Sequence, residues 1–348
     1  MRVAETVAKE TLDHQERPIP VPGPDEALLR VHTVTLCGTD LHIWEDDYAT
    51  PLPMVQGHEF CGVIEALPEP HTSRAVGDRV AVSPILNCGA CYACSIGRTN
   101  ACDRMSVYGC YDVPGALAEY VTVPVHKLFP VPDALPMELA SLCEPTSIAM
   151  QAVNRSRPQA GEHALVLGCG PIGLLATLYL TSLGVRVVAA DTVPERVAFA
   201  RRFGAADTFH VDLGREFPTV EQAALLDRNT GGFGPAIVVE ATGQPSSLDN
   251  AIRLVSTAGR VVAVGISDRP VTLSMRTLPV KDIELIGSRN SQELIGEAAE
   301  LLSRHPEQAR ALVTHRFPLT KAADAFETMR SRTELVGKVA VDLTEAAP

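Results

Sequence analysis

The sequence predicts an α/β protein in which a β-rich, loop-heavy unit accompanies a doubly wound parallel sheet. Three observations carry that expectation. The chain has 348 residues, more than a single hydrophobic core usually serves. From Pro18 to Val131 it is short strand-like runs cut by Pro and Gly. From Gly161 onward, apolar β-branched runs alternate with helical patterns of about 10–15 residues, the rhythm of parallel strands joined by right-handed crossovers.

In the first stretch the strand-like runs are Ala27-Leu-Leu-Arg-Val-His, Arg79-Val-Ala-Val-Ser and Tyr120-Val-Thr-Val. In the second, Ala164-Leu-Val-Leu precedes an apolar helix from Ile172 to Leu183, and Arg186-Val-Val-Ala-Ala-Asp191 precedes an amphipathic helix from Glu195 to Phe203. Strands at Ala236–Glu240, Arg260–Gly265 and Ile283–Gly287 continue the series. After about Ser288 the pattern predicts two helices and a terminal strand, Lys338–Leu343. Ala164 to Ala190 carries one charge, Arg186, yet Gly168, Gly170, Pro171 and Gly173 break it early and Leu183-Gly184 breaks it again. It is expected to be buried core and not a membrane span.

Composition narrows the function. Hydrophobic residues make up 46% and charged residues 21%, ordinary for a soluble domain. The net charge of -12 argues against nucleic acid, whose phosphates need clustered Lys and Arg. Met1-Arg-Val-Ala-Glu-Thr has no apolar core of signal-peptide length, so a reducing cytoplasm is expected. There, clustered thiols hold metal more often than they form disulfides.

Gly168-Cys-Gly170-Pro171-Ile172-Gly173 is G-x-G-x-x-G after a strand and at the start of a helix. The first glycine permits the turn, the second lets a pyrophosphate approach the backbone, and the third seats the helix on the sheet. Asp191 ends the next strand, eighteen residues beyond Gly173, where a carboxylate accepts from a ribose diol and repels a 2′-phosphate. NAD is therefore expected over NADP, although Arg196, Arg201 and Arg202 follow closely and an Arg can accommodate a 2′-phosphate. The cofactor site is expected to extend to Thr242, Val264, Gly265 and Ile266.

A hydride carrier needs a group that polarises the substrate. Cys37-Gly-Thr39-Asp-Leu-His42, Gly57-His58-Glu59 and Cys143-Glu144-Pro145 offer zinc-competent side chains. A zinc with an open position acts as a Lewis acid that favours release of the alcohol proton and then of hydride. Taken singly, each residue also has a structural reading: a buried thiol, a satisfied core His, a surface Glu. Cys88-x2-Cys91-x2-Cys94-x7-Cys102 is a second cluster, open to redox, disulfide, nucleic-acid or structural readings.

The sequence resembles the zinc-dependent medium-chain dehydrogenase/reductase family over nearly its whole length. The shared motifs are Cys37-Gly-Thr-Asp-Leu-His, Gly57-His-Glu-Phe, Val76-Gly-Asp-Arg-Val80, the four-cysteine lobe, Glu144-Pro145 and the nucleotide fingerprint. The resemblance implies a GroES-like catalytic domain from residues 1–150 and 288–348, with a zinc lobe at about 86–104. It implies a Rossmann domain from residues 151–287 inserted between them. A catalytic zinc would fall on Cys37, His58 and a carboxylate, either Glu59, as in the polyol-type branch, or Glu144. Thr39 and His42 match the family's proton relay, though they could also simply brace the loop carrying Cys37. Arg289 matches a position near cofactor and substrate. Trp44 is open to a pocket-lining or a core role.

Cys88, Cys91, Cys94 and Cys102 would close a second, structural zinc site, because no thioredoxin-like βαβ surrounds them and the expected compartment disfavours disulfides. The expected reaction is hydride transfer between NAD and a secondary hydroxyl of a polyol, sugar or sugar acid. Ser95-Ile-Gly-Arg-Thr-Asn, Ile286-Gly-Ser-Arg-Asn and Thr314-His-Arg-Phe-Pro resemble the sugar-acid oxidoreductases. Cys37 to Glu45 looks like the threonine 3-dehydrogenases, which makes L-threonine the alternative; a non-catalytic NAD- and zinc-binding protein is the other. Gly115-Ala-Leu departs from the family's Gly-Gly-Phe beside the pocket. The partners expected are a small-molecule alcohol or carbonyl compound and further copies of the chain, as a homodimer or homotetramer, with neither nucleic acid nor membrane.

Overall fold

The computed structural model describes residues 1–68, 74–331 and 335–344. The chain divides into two compact units, Met1–Ser147 with Gln292–Pro348, and Ile148–Ser291.

The first unit is built on a seven-stranded sheet. Its central strand, Glu26–Thr35, pairs antiparallel with Glu59–Ala66 on one side and Lys338–Asp342 on the other. Arg79–Val82 and Leu128–Pro130 extend one side, Val313–Pro318 adds parallel to Lys338–Asp342, and Tyr120–Pro124 pairs with the lower half of the central strand. The central strand is buried along most of its length, with Ala27, Leu28, Leu29, Val31 and Val34 in the core and Thr33 and Thr35 buried beside them, because neighbouring strands cover it on both sides. Trp44 belongs to this core: it is 1% exposed, stacks on Phe326 at 5.5 Å and carries Arg330 over its ring. That settles its role as an anchor.

The second unit is a six-stranded, all-parallel sheet. Its order is Asp207–His210, Arg186–Asp191, His163–Leu167, Ile237–Glu240, Arg260–Ala263, Glu284–Gly287. In chain order that is 3-2-1-4-5-6, the doubly wound arrangement with a crevice where the order reverses. The helix Pro171–Ser182 starts with Pro at its first turn and is apolar nearly all round, so it is buried from Gly173 to Leu178.

The C-terminal expectation needs correction. Among the described residues three α-helices, Ile295–Arg304, Pro306–Leu312 and Ala322–Ser331, follow Ser288, not two, with the strand Val313–Pro318 among them. Pro306 splits what looks like one helical run, and Thr314-His-Arg hides a strand whose residues are only half-buried. No described helix is long and apolar enough to cross a membrane.

Candidate active site

Strand register collects the first site. Thr35 stands opposite Glu59 in one neighbouring strand and opposite Ala340 in the other. The end of the central strand therefore coincides with the beginnings of two strands that run against it. Cys37 follows the first, His58 and Glu59 open the second, and Lys338 opens the third. Cys37 Sγ, a His58 ring nitrogen and a Glu59 carboxylate oxygen lie within 4.8 Å of one another. His58 and Glu59 are buried, and Cys37 is half-buried. Tetrahedral zinc places S, N and O donors about 3.3–3.8 Å apart, so small side-chain adjustments suffice, and three donors leave a fourth position open. The set fits a catalytic zinc.

Behind the donors lies a charged, hydrogen-bonded layer. Glu59 Oε2 accepts from Thr35 Oγ1 at 2.6 Å, and Oε1 is paired with the ammonium of Lys338, which also donates to the Leu36 carbonyl at 3.3 Å. Burial, the largest single influence, would lower the Lys338 pKa, but the charges of Glu59 and Cys37 and the hydrogen bond to Glu59 together outweigh it and hold the ammonium above its ordinary range. Asp40, fully buried in the helix Gly38–Trp44, accepts from the Cys37 amide at 2.8 Å and the Gly57 amide at 3.1 Å. Its carboxylate is 3.6 Å from His58 Nδ1. Burial would raise Asp40, yet His58 and the two amides hold it below the usual carboxylate value. Burial would lower His58, but Asp40 and then Cys110, whose Sγ is 3.7 Å from Nδ1, raise it well above normal. One carboxylate thus orients both the thiol-bearing turn and the imidazole, the outer-shell arrangement that metal sites use.

Glu144 opens the helix Cys143–Arg155 and is buried. Burial and the negative charge of Glu59 push its carboxyl up to about 7. It stands outside the three-donor cluster. Thr39 Oγ1 lies 3.9 Å from Cys37 Sγ, and His42, one helical turn further on, is exposed with Nδ1 3.2 Å from Asp47. Gly115, Ala116 and Leu117 donate their amides to Val55, Gly57 and Gln56, so the segment that departs from the common pattern lies directly against the loop before His58. A Cβ on Gly115 would come within 2.5 Å of the Gly57 carbonyl, so no larger residue fits there.

The second metal candidate is closed. Cys88, Cys91, Cys94 and Cys102 present sulfurs all within 4.8 Å of one another, and Cys91 and Cys102 are 3.8 Å apart, the edge of a tetrahedron with bonds of about 2.3 Å. Hydrogen bonds from the Ala90 amide and neighbouring groups, opposed by desolvation, lower the Cys88 thiol to about 6. Four thiolates leave no open position, so the lobe fits a zinc that staples.

In the parallel-sheet unit, Gly168 has φ of +99°, and a Cβ on Gly173 would collide with the Gly168 carbonyl at 1.8 Å. Gly170 has open space where a Cβ would sit, room for a phosphate to approach the backbone. Pro171 and Ile172 begin the helix behind it. Asp191 accepts from the Cys169 amide at 2.7 Å and the Val193 amide at 2.9 Å, leaving lone pairs for a diol. Glu240, 2% exposed, accepts from the Thr242 amide and hydroxyl and the Gly243 amide, fixing the loop that faces Gly168. Val264 and Gly265 donate their amides to the Glu240 carbonyl, Ile266 is 88% exposed, Arg196 is half-buried and Arg289 exposed. The pieces fit a dinucleotide.

Residues 23–133 match the alcohol dehydrogenase GroES-like domain, and residues 171–304 match the zinc-binding dehydrogenase domain. L-galactonate-5-dehydrogenase of Escherichia coli K12 is 35% identical over 320 residues, 90% of each chain. The chain belongs to the zinc-type medium-chain dehydrogenase/reductase family. Mouse sorbitol dehydrogenase, in this same family, is 30% identical over 95% of this chain and 93% of its own. An alcohol dehydrogenase of E. coli CFT073, solved with NADH, superposes with a TM-score of 0.90 at 31% identity, covering 99% of both chains.

Within this medium-chain dehydrogenase the structure brings Cys37, His58 and Glu59 together and gathers all four lobe cysteines. Sequence reading passes over Asp40, Thr35, Cys110, Glu240 and Lys338. Asp40 had a signal, since it sits three residues after the N-cap Cys37, where a capping carboxylate belongs. Lys338 had almost none, because a Lys heading an apolar strand normally points to water.

Proposed function

We propose that this dehydrogenase oxidises a secondary hydroxyl of a polyol, sugar or sugar acid to a ketone, passing hydride to NAD⁺ and a proton to solvent. The observation that carries the reading is the three-donor cluster of Cys37, His58 and Glu59, one donor short of a tetrahedron. These residues would hold a zinc that, when bound, polarises the substrate oxygen. The chain's own groups do the rest. Thr39, beside Cys37, relays the hydroxyl proton, accepting it as it passes its own on, and exposed His42 delivers the proton to water. Asp40 keeps the His58 ring and the Cys37 turn in place, while Lys338 and Thr35 hold Glu59. Glu144, whose carboxyl burial and the Glu59 charge push up to about 7, is a further proton acceptor or ligand.

The 35% identity to L-galactonate-5-dehydrogenase and 30% to sorbitol dehydrogenase support a polyhydroxylated substrate. Asp191, whose carboxylate would accept from a ribose diol and repel a 2′-phosphate, supports NAD over NADP. We also infer two zinc ions per chain, and a homo-oligomer through the edge strand Glu284–Gly287, which among the described residues pairs on one side only and exposes Leu285. Sedimentation equilibrium reads the assembly.

The deciding experiment is NAD⁺ and NADP⁺ reduction on metal-quantified protein with L-galactonate, sorbitol and L-threonine. NADH formed from a polyol or aldonate, and two zinc ions per chain, are expected. Cys37→Ser is expected to abolish turnover and keep one zinc. Unchanged activity in that variant sinks the site, and a clear preference for L-threonine replaces the substrate class.

A further inference from the structure

Two tyrosines from separate loops meet near the metal donors. Tyr48 and Tyr111 place their hydroxyls 3.2 Å apart with ring centroids at 5.9 Å. Each follows a residue already tied to the site. Tyr48 follows Asp47, whose carboxylate is 3.2 Å from Nδ1 of His42. Tyr111 follows Cys110, whose sulfur is 3.7 Å from Nδ1 of His58. The phenol pair thus links the loop after the relay histidine's helix to the loop touching the donor histidine.

The backbone is bent to make this contact. Tyr111 has φ of +58°, a conformation that bulky residues adopt only when the surroundings impose it, and its amide is held by Thr50 Oγ1 at 2.9 Å. Thr50 is buried and fixes the Tyr111 loop to the loop of Tyr48. Asp46, two residues before Tyr48, also has positive φ. Both rings nonetheless stay in reach of solvent, Tyr48 at 38% exposure and Tyr111 half-buried. A core aromatic pair would be covered; this one presents its polar ends.

We propose that Tyr48 and Tyr111 form the hydroxyl-recognition element of the site and set its preference for polyhydroxylated substrates. This rests on the polyol and sugar-acid reading above. Two phenols joined by one hydrogen bond leave one O–H to donate and lone pairs to accept, side by side. Adjacent hydroxyls of a polyol or aldonate offer the matching donor and acceptor, whereas a simple secondary alcohol offers nothing beyond its reacting oxygen. A site built to hydrogen-bond hydroxyls discriminates against substrates that lack them. Burial and the Tyr111 hydrogen bond hold the Tyr48 pKa above its ordinary value, which keeps the donor protonated.

The test compares Tyr48→Phe, Tyr111→Phe and the double variant with the wild type, using L-galactonate and sorbitol against 2-butanol. Each single variant is expected to raise KM for the polyhydroxylated substrates about tenfold with kcat nearly kept, and to leave 2-butanol kinetics within about twofold. The double variant is expected to be little worse than either single one, since the two hydroxyls act as a unit. Zinc content and unfolding midpoint are expected to match the wild type. An unchanged KM for L-galactonate and sorbitol, or equal losses on 2-butanol, overturns this assignment alone. A wild type that turns over neither polyhydroxylated compound overturns the parent reading, and this assignment with it.

Discussion

Lys338 donates its buried ammonium to the carboxylate of Glu59 across 279 residues of sequence. The two side chains are 5% and 1% exposed, so neither charge is shared with water. Removing one partner of such a pair costs about 3–5 kcal/mol, because the other is left charged in a poor solvent. Lys338→Met is therefore expected to lower the denaturation free energy by about that much in chelator-treated protein. With zinc supplied the loss is expected to shrink, since a dication beside Glu59 replaces the missing positive charge. Equal losses with and without zinc would place Glu59 away from the metal.

Asp40 joins three groups that the metal site needs. Its oxygens accept from the Cys37 and Gly57 amides and face His58. Asp40→Asn keeps the shape but turns an NH₂ toward groups that donate. Zinc affinity at the Cys37–His58–Glu59 site is expected to drop by about 10–100-fold, with the four-cysteine zinc retained. Competition with a chromogenic chelator, which releases the two metals at separate concentrations, reads this directly.

Asp191 is predicted to set cofactor choice. Asp191→Ser replaces with an uncharged hydroxyl the carboxylate that would accept from a ribose diol and oppose a 2′-phosphate, so the ratio of kcat/KM for NAD⁺ over NADP⁺ is expected to fall by about tenfold or more. If both values fall together and the ratio holds, Asp191 serves only to tie the Cys169 and Val193 amides.

Glu119 supplies a pH-dependent contact at the first strand. Arg2 donates to it from its amide at 2.6 Å and its guanidinium at 2.8 Å. Burial works against the charged form, but these bonds hold the carboxyl below the ordinary carboxylate value. The folded chain then binds that proton less tightly than the unfolded chain. The stabilisation is fully present above the unfolded value of about 4.3 and is lost as pH falls through the depressed folded value. Glu119→Gln is expected to cost about 0.5–1 kcal/mol at neutral pH, with the gap closing below about pH 4. Urea denaturation at both pH values measures it; a gap that persists in acid means that packing, not charge, is responsible.

Much of the architecture was legible because it is written in local patterns. Runs such as Leu165-Val-Leu and Val187-Val-Ala-Ala announce strands buried on both faces, and Gly168, Gly170 and Gly173 each answer a steric need within a few residues. The C-terminal region was less legible. Thr314-His-Arg-Phe forms a strand because Lys338–Asp342 offers it an edge, not because its own composition favours one.

The sequence by itself determined which side chains can bind metal, where a dinucleotide can meet a helix, and that the four lobe cysteines lie close enough along the chain to close on one another. Those properties depend on residue chemistry and on spacings of a few residues. Only the tertiary structure decided which carboxylates stand where. Glu59 joins Cys37 and His58, Asp40 binds both their loops, Lys338 arrives from the far end of the chain, and Tyr48 finds Tyr111. Each of those meetings is set by the register of strands and loops distant in sequence, and a slip of one residue would turn every side chain to the opposite face.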